Sequence, residues 1–211
     1  MASRQTNQRQ EAVSELKRGL ILDAARDIFE SDGIEGASIR AIAKRAGYTP
    51  GAIYFHFDSK EDIYGALLDQ SLDALVRRVT SAVVVDATPA DQMVQAGHAF
   101  FDFYAENPRD LDLGFYLFRG GMRPHGLGPN RDSILNEKLL WALAPYRTAI
   151  QDIGCDDNFA DIETAAFFAH VSGLLLLEHT GRMSLFATSA FSLIDTYLAD
   201  ARIRAVKQSN A

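Results

Sequence analysis

Apolar side chains recur every three to four residues along most of this chain, and this period constrains the fold more than any other feature. Residues 15–31 place their apolar side chains on one stripe of a helix, and residues 39–46 repeat the spacing i, i+3, i+4, i+7. No segment alternates apolar and polar residues around a hairpin signal such as Asn-Gly. At 211 residues and 47% hydrophobic content, the chain can bury a sizeable core. We therefore predict an all-α fold of about nine helices.

The net charge of −7 argues against a nucleic-acid partner for the chain as a whole, because such a partner requires a positive surface. The charge is unevenly distributed, however. Residues 1–60 hold nine Lys and Arg against eight Asp and Glu, whereas residues 61–211 hold 12 against 20. Between Gly36 and Lys60 there are four basic residues and one acidic residue. The sequence therefore predicts a small basic N-terminal region joined to a large acidic one.

Two short helices separated by a glycine are predicted inside this basic region. Ser38 is a suitable N-cap for a helix that ends at Gly47. Thr49 can cap the next helix and Pro50 suits its first position, so a third helix is predicted at residues 50–55. Two such helices packed on a longer first helix form a helix-turn-helix, whose second helix enters the major groove of DNA.

The segment GYTPGAIYFHF, residues 47–57, carries four aromatic rings next to this basic stretch. Gly51 leaves room for the backbone to approach DNA closely, and Tyr54 can donate its hydroxyl to a phosphate. His56 and Lys60 are expected to complete the contact with the DNA backbone. Three apolar side chains of this segment are expected to face the three-helix core: Ile53, Phe55 and Phe57.

Residues 20–68, LILDAARDIFESDGIEGASIRAIAKRAGYTPGAIYFHFDSKEDIYGALL, resemble the DNA-binding region of the TetR-type transcriptional regulator family. The similarity rests on Ser-Ile-Arg at the start of the second helix, on IAKRAG, and on the pattern Gly-x-x-Tyr-x-His-Phe-x-x-Lys. It implies all-helical homodimers, mostly repressors, whose larger C-terminal domain binds a small effector that releases DNA. The resemblance also implies phosphate contacts by Ser38, Tyr54, His56 and Lys60, base reading by Arg40, and groove-facing positions for Thr49, Pro50 and Gly51.

The predicted domains are a mobile N-terminal arm at residues 1–13, a helix-turn-helix DNA-binding domain at residues 14–60, and an effector-binding and dimerisation domain at residues 61–206. The helix predicted at residues 159–180 is apolar nearly all round, so it requires cover from more than its own domain. We expect a homodimer through the last two helices, which implies a pseudo-palindromic operator on double-stranded DNA. The final helix is predicted at residues 185–206, and the stripe expected to pack in this dimer comprises Phe186, Ala190, Leu193, Ile194, Tyr197 and Leu198.

The C-terminal region is also rich in aromatic rings, namely Phe100, Phe101, Phe103, Tyr104, Phe115, Tyr116, Phe118, Trp141, Phe167 and Phe168. Ligand pockets in helical bundles are lined mainly by such side chains with a few polar groups for orientation. We therefore hypothesise an effector site that takes an apolar or aromatic molecule and lies between the helices predicted at residues 91–108, 130–153 and 159–180. Ordinary core packing is the alternative interpretation for each ring. The expected members of the site are Phe101, Tyr104, Trp141, Phe168 and His170.

Several functional classes are disfavoured. The single cysteine, Cys155, excludes an intrachain disulfide, and the histidines lack a metal-ligand spacing, so we expect no metal and no cofactor. No Gly-rich phosphate loop, nucleophile elbow or zincin motif occurs, so we expect no enzymatic activity. The interrupted apolar run at residues 164–180 favours a buried helix over a membrane span. Residues 1–15 contain no apolar segment of a secretory signal, so we expect a cytoplasmic protein.

The sequence therefore predicts a DNA-binding transcriptional regulator, a repressor that a small apolar or aromatic effector releases from its operator. One alternative is a transcriptional activator of the same fold. The other is a helical interaction protein without DNA binding, which differs from a regulator in retaining no genomic fragment at moderate salt.

Overall fold

The computed structural model describes residues 2–114 and 127–210, with side chains from residue 8 onward. Every regular element in these ranges is helical, so the all-α prediction is confirmed. A 3-10 turn at Arg182–Leu185 separates the last two of the nine α-helices in the described ranges. In chain order the helices are α1 (Ala2–Gly36), α2 (Ile39–Ala46), α3 (Pro50–Tyr54), α4 (Lys60–Ala82), α5 (Pro89–Glu106), α6 (Pro108–Gly114), α7 (Pro129–Ile153), α8 (Asp157–His179) and α9 (Ala190–Ser209).

Helix α1 is longer than the helix predicted at residues 15–31. Its backbone is helical from Ala2, so residues 2–13 continue the helix where a separate arm was expected. Residues 2–18 contain neither glycine nor proline, so no helix breaker lies in that stretch. Gly33, with φ 67° and ψ 174°, interrupts α1 two residues after the end of the helix predicted at residues 15–31. The mobility of the N-terminal residues stays a prediction.

One compact unit comprises the described parts of residues 1–70 and 112–132. Its core contains side chains of α1, α2 and α3 that have almost no exposed surface. The guanidinium of Arg45 in α2 also binds the carboxylate of Asp27 in α1, with an Nε–Oδ2 distance of 3.1 Å. These contacts fix α2 against α1. The most deeply buried core residues of this region include Ile21, Leu22, Ala25, Phe29, Ile42, Ala43, Ile53 and Phe57.

The first turns of α4 belong to the same unit. The ring of Tyr64 packs edge-on against Phe29, with centroids 5.0 Å apart. The hydroxyl of Tyr64 donates to the carbonyl of Leu113 at 3.0 Å. Because these turns of α4 pack here, the unit extends to residue 70, past the boundary predicted after residue 60.

The second unit comprises the described parts of residues 71–111 and 133–211. Within it, α5, α8 and α9 pack against one another. Phe100 of α5 meets Phe167 of α8 edge-on, with centroids 5.8 Å apart, and Tyr146 of α7 stacks on Phe167 at 4.3 Å. Aromatic side chains therefore form much of the core of this unit.

Helices α5 and α9 approach each other closely at Gly97. A Cβ placed on Gly97 would lie 2.5 Å from Cδ2 of Leu198, which is buried. We expect Gly97→Ala to lower the free energy of unfolding by about 1 kcal/mol, because overpacking costs about 1–3 kcal/mol while alanine regains about 1 kcal/mol of helix propensity. Urea denaturation at a fixed protein concentration measures the change.

Gly19→Ala is the matched control for this prediction. Gly19 is also helical, and a Cβ there would meet no atom within 4 Å. We expect Gly19→Ala to raise the free energy of unfolding by up to about 1 kcal/mol, since only the propensity gain applies. A stabilising effect of both substitutions would contradict the close packing at Gly97.

Helix α8 is apolar on more than one face, as predicted. By length and composition it is the one helix in the described ranges that could cross a membrane, with an 18-residue window of mean hydropathy 1.4 of which 39% is buried. Its inner face packs in the second unit through residues such as Phe167 and Val171, which are fully buried. Its outer face is exposed in the single chain and follows a 4-3-4-3 spacing: Ile162, Ala166, Ala169, Gly173 and Leu176.

Helix α9 turns a different face outward from the one predicted. It begins at Ala190 after the N-cap Ser189, whereas the sequence suggested a start near residue 185. Ala190, Ile194 and Leu198 of the predicted dimer stripe are buried within the second unit, so their assignment to a dimer surface is wrong. They are buried because α9 packs on α5 along this side. The exposed stripe again has a 4-3-4-3 spacing: Ser192, Thr196, Ala199, Ile203 and Val206.

Candidate nucleic-acid interface

Helix α2 has a sharply defined start and end. At its start, the N–H of Ala41 donates to Ser38 Oγ at 3.2 Å. At its end, Gly47 adopts the left-handed conformation with φ 75°, and the N–H of Tyr48 donates to the carbonyl of Ala43 at 2.8 Å. A side chain at Gly47 would be strained in this conformation, so the glycine sets the direction in which the chain leaves α2.

Helix α3 follows after a short turn and shows the predicted capping. Thr49 Oγ1 accepts a backbone N–H of the first turn at 3.2 Å, and Pro50 occupies the first helical position. Ile53 and, four residues later, Phe57 are buried in the core of the first unit. Burial of this face turns Tyr54 outward. The pair α2 and α3 is therefore a helix-turn-helix whose second member has a free outer face.

The outer surface of this helix-turn-helix is positively charged. Residues 36–57 contain no acidic residue. Arg40 and Lys44 are exposed one turn apart on α2 and form no ion pair with any residue that the structure describes. Arg45, by contrast, is occupied by Asp27 of α1. Arg40 and Lys44 are therefore the two cations of α2 that remain available to a polyanion.

The other predicted contact residues present polar groups on the same unit. Ser38 and Thr49 use their oxygens as acceptors in the capping hydrogen bonds, which leaves each hydroxyl proton free to be donated to a phosphate. The Tyr54 side chain is exposed, and that of His56 is half-buried. These side chains match the donors that position proteins on a DNA backbone.

Gly51 is exposed and has no structural need to be a glycine. A Cβ at this position would have Thr49 Oγ1 as its nearest neighbour, at 4.0 Å. Its backbone also lies outside the positive-φ region that favours glycine. A missing side chain at this point therefore fits the predicted close approach of another molecule.

Lys60 has an internal partner that the sequence does not indicate. Its Nζ donates to the carbonyl of Glu35 at 3.2 Å, near the end of α1. An ammonium group has three donors, so this bond leaves two for a phosphate. Lys60 thus stabilises the connection between α1 and α2, and its phosphate contact stays a prediction.

Phe55 lies on the surface, and its predicted place in the core is wrong. Its side chain is 89% exposed, whereas that of Phe57 is 3% exposed. Helix α3 ends at Tyr54, and Phe55 lies about half a turn away from the face that Ile53 and Phe57 share. The exposed ring next to Tyr54 is a candidate contact that the sequence analysis missed, although the i, i+4 spacing of the two buried residues already implied it.

The predicted effector residues occupy several environments. Phe101 is buried, and its ring meets Phe191 of α9 edge-on at 5.2 Å. Tyr104 and Phe168 share Phe100 as a neighbour, at centroid distances of 5.6 and 6.1 Å. Burial raises the pKa of Tyr104, so its hydroxyl stays protonated. Three further rings of the predicted region lie outside the described residues: Phe115, Tyr116 and Phe118.

Trp141 and His170 differ in exposure from the buried rings. Trp141 is 52% exposed on α7. The ring of His170 stacks on Tyr197 at 4.3 Å, and its Nε2 is buried with no hydrogen-bond partner among the described residues. Burial lowers the pKa of His170, opposed by a hydrogen bond with the backbone of Leu193, so the neutral ring is favoured. Of the five predicted residues, the structure therefore groups Tyr104 with Phe168, and the common site stays a prediction.

A partly buried ion pair between α8 and α9 was not predicted. The carboxylate of Glu163 accepts hydrogen bonds from Nε and an Nη of Arg204, at 3.0 and 2.6 Å, and from the Tyr197 hydroxyl at 3.0 Å. Burial, and then the nearby Glu163 carboxylate, raise the pKa of Tyr197, which keeps this donor protonated. Glu163 lies one helical turn before the buried Phe167, so its carboxylate also faces the core. A carboxylate in this position requires a cation as its partner.

Residues 21–67, which contain both helices of the helix-turn-helix, match the family model described as "Bacterial regulatory proteins, tetR family". The helix-turn-helix region of this chain is therefore of the TetR type. The resemblance inferred from residues 20–68 is therefore confirmed, and the predicted DNA-contacting residues, from Ser38 to Lys60, all fall within the matched segment.

Curated relatives of this chain are named as transcriptional activators or regulators. The HTH-type transcriptional activator FasR of Mycolicibacterium smegmatis is 34% identical over 99 residues, which make up 47% of this chain and 45% of FasR. The HTH-type transcriptional regulator SrpR of Pseudomonas putida is 34% identical over 129 residues, or 57% of this chain and 54% of SrpR. The aligned parts thus span about half the length of these relatives.

A likeness in fold covers most of the chain. The transcriptional regulator FadR of Bacillus subtilis, solved in complex with stearoyl-CoA, aligns with a TM-score of 0.67 and 19% identity over 86% of this chain and 96% of FadR. At this identity the likeness concerns the fold. All three similar proteins are named as transcriptional activators or regulators, in line with the expectation of a regulator and not an enzyme.

Proposed function

We propose that this protein is a sequence-specific, DNA-binding transcriptional regulator that binds a pseudo-palindromic operator as a homodimer. The observation that carries the proposal is the helix-turn-helix of residues 38–57, capped at both helices and free of acidic residues within a chain of net charge −7. A positive surface concentrated on one helix pair of an acidic protein fits binding to duplex DNA. We place α3 in the major groove.

The side chains of this surface divide into base contacts and phosphate contacts. Arg40 is exposed and unpaired among the described residues, so its guanidinium is available to bind a guanine through two hydrogen bonds. The exposed start of α3, at Thr49, Pro50 and Gly51, faces the groove, where Gly51 lets the backbone approach. Phosphate contacts come from Ser38, Tyr54, His56 and Lys60, with the Phe55 ring as an added apolar contact.

The homodimer is proposed to form through the outer faces of α8 and α9. Each face carries small or apolar residues at a 4-3-4-3 spacing and is exposed in the single chain. Helices with this spacing pack side by side through a continuous seam, and small residues such as Ala169 and Gly173 permit close approach. Two-fold symmetry would place two recognition helices about 34 Å, or a multiple of that distance, apart on the duplex.

The regulator is proposed to release DNA when a small apolar or aromatic effector binds to its second unit. FadR of Bacillus subtilis, which shares the fold, was solved with stearoyl-CoA, a ligand with a long apolar chain. For this protein the proposed contacts remain Phe101, Tyr104, Trp141, Phe168 and His170. We propose that the protein acts as a repressor and that it is located in the cytoplasm. Activation is the alternative, because the relative FasR is named an activator.

Selection of genomic fragments with the purified protein tests the proposal. We expect retained fragments to share a pseudo-palindrome whose half-site centres lie about 10 base pairs, or a multiple, apart. A double variant, Arg40→Ala with Lys44→Ala, is the control that should retain none. Repeating the selection with apolar and aromatic metabolites identifies the effector as the compound that releases the fragments. Retention of no fragment by the wild type at moderate salt would favour a helical interaction protein without DNA binding.

A further inference from the structure

A groove on the surface of the second unit lies between the end of α4 and the middle of α5. Its volume is about 460 Å³, and none of the five predicted effector residues lines it. From Val94 to Asp102 it follows eight residues of α5, a length of about 12 Å. The lining side chains are Arg78, Ser81, Ala82, Val94, Gln95, His98, Ala99 and Asp102.

At one end, the groove has apolar side chains next to the polar Ser81 and Gln95. Ala82 and Val94 line this end, next to the loop that follows α4. The loop is held in place by two side chains of α5: Gln95 Oε1 accepts the N–H of Val84 at 2.9 Å, and Gln92 Nε2 donates to the carbonyl of Val84 at 3.1 Å. The wall at this end is therefore fixed, and it offers hydrocarbon surface.

The opposite end carries charged groups, and its two basic groups already have carboxylate partners. Arg78 pairs with Glu106 at 3.6 Å, and His98 Nε2 lies 3.5 Å from Asp195 Oδ1. An anionic ligand would have to compete with these carboxylates for either group. The groove therefore disfavours fatty acids and other anionic amphiphiles.

Asp102 is the acidic group of the groove, and it lies near His98 and Arg78. Its half-buried carboxylate forms no hydrogen bond or ion pair with any residue that the structure describes. Burial raises the pKa of Asp102 above its ordinary value, with nearby His98 opposing this rise. A positive group beside Asp102 would offset the cost of burying this carboxylate.

We infer that this groove binds an organic cation with an apolar tail, an alkylammonium or similar amine about 12 Å long. The ammonium group donates to the Asp102 carboxylate, while the tail lies on Val94, Ala99 and Ala82. Charge complementarity at one end and hydrocarbon contact at the other fix the orientation of the ligand. This site is separate from the proposed effector residues and does not depend on DNA binding.

Isothermal titration of the full-length protein with n-octylammonium tests the inference, with octanoate and octanol as probes of equal length. We expect octylammonium to bind at one site per chain and the other two probes to bind much more weakly. Asp102→Asn should weaken octylammonium about 10- to 100-fold, the effect expected for loss of a charge-assisted hydrogen bond. Asp200→Asn, which removes the same charge from an exposed position of α9, should leave the affinity unchanged.

A second variant keeps the test decisive if Asp102→Asn does not fold. Ser81 is an exposed lining residue, and Ser81→Phe should fill the groove and abolish octylammonium binding without disturbing the core. Octanoate binding as tightly as octylammonium would overturn the inference. So would octylammonium binding that persists unchanged in either folded variant. Because binding is measured without DNA, none of these outcomes depends on the proposed regulator function.

Discussion

Ala169→Glu should convert the proposed homodimer into monomers and weaken operator binding about 100- to 10,000-fold. Ala169 lies at the centre of the exposed stripe of α8, between Ala166 and Gly173. Near a two-fold axis, one substitution places two carboxylates close together and away from water, which costs several kcal/mol without a cation. A monomer binds one half-site and loses the effective concentration that the second half-site confers. Sedimentation velocity and fluorescence anisotropy with operator DNA measure the two effects.

Leu140→Glu is the matched control, because it adds the same charge in place of an exposed apolar residue. Leu140 is exposed on α7, outside the proposed α8–α9 seam. We expect this variant to remain dimeric and to keep its operator affinity. Circular dichroism should show both variants to be folded, since neither position is buried. A dimeric Ala169→Glu protein with wild-type affinity would place the dimer interface elsewhere.

The caps of the helix-turn-helix could be predicted from the sequence because each depends on residues only a few positions apart. Ser38 and Thr49 bond to backbone groups within their own first turns, and Gly47 supplies the left-handed residue that ends α2. Such local geometry follows from the residue types themselves. The same is true of Ile53 and Phe57, whose i, i+4 spacing marks one helical face.

Features that depend on distant contacts could not be predicted in the same way. Helix α9 has two stripes of small and apolar residues, and its own sequence does not say which stripe is buried. The contact of Leu198 with Gly97 of α5 decides the matter, and it joins residues about a hundred positions apart. The hydrogen bond of Lys60 to the carbonyl of Glu35 could not be predicted from the sequence for the same reason. Each depends on how separate helices pack, which periodicity within one helix does not specify.

Arg40→Ala should weaken binding to the selected operator by about 1–3 kcal/mol, or roughly 5- to 150-fold, and relax the preference at one base pair. Arg40 is exposed, and it has no ion-pair partner among the described residues, so the substitution removes no internal contact found there. A bidentate contact stabilises the complex only where the matching base is present. Its removal therefore weakens binding mainly to DNA that carries this base. Anisotropy titrations against the operator and each single-base variant measure this loss of discrimination.

Lys60→Met provides the contrasting result, because a phosphate contact carries no sequence information. We expect it to weaken all of these duplexes alike and to reduce the slope of log K against log salt by about one. The same substitution removes the bond to Glu35, so its melting temperature is measured alongside, and titrations are run well below it. Lys207→Met, in the last turn of α9, controls for the loss of one positive charge and should change neither quantity. If neither Arg40→Ala nor Lys60→Met changed the affinity for DNA, another surface of the protein would have to face the DNA.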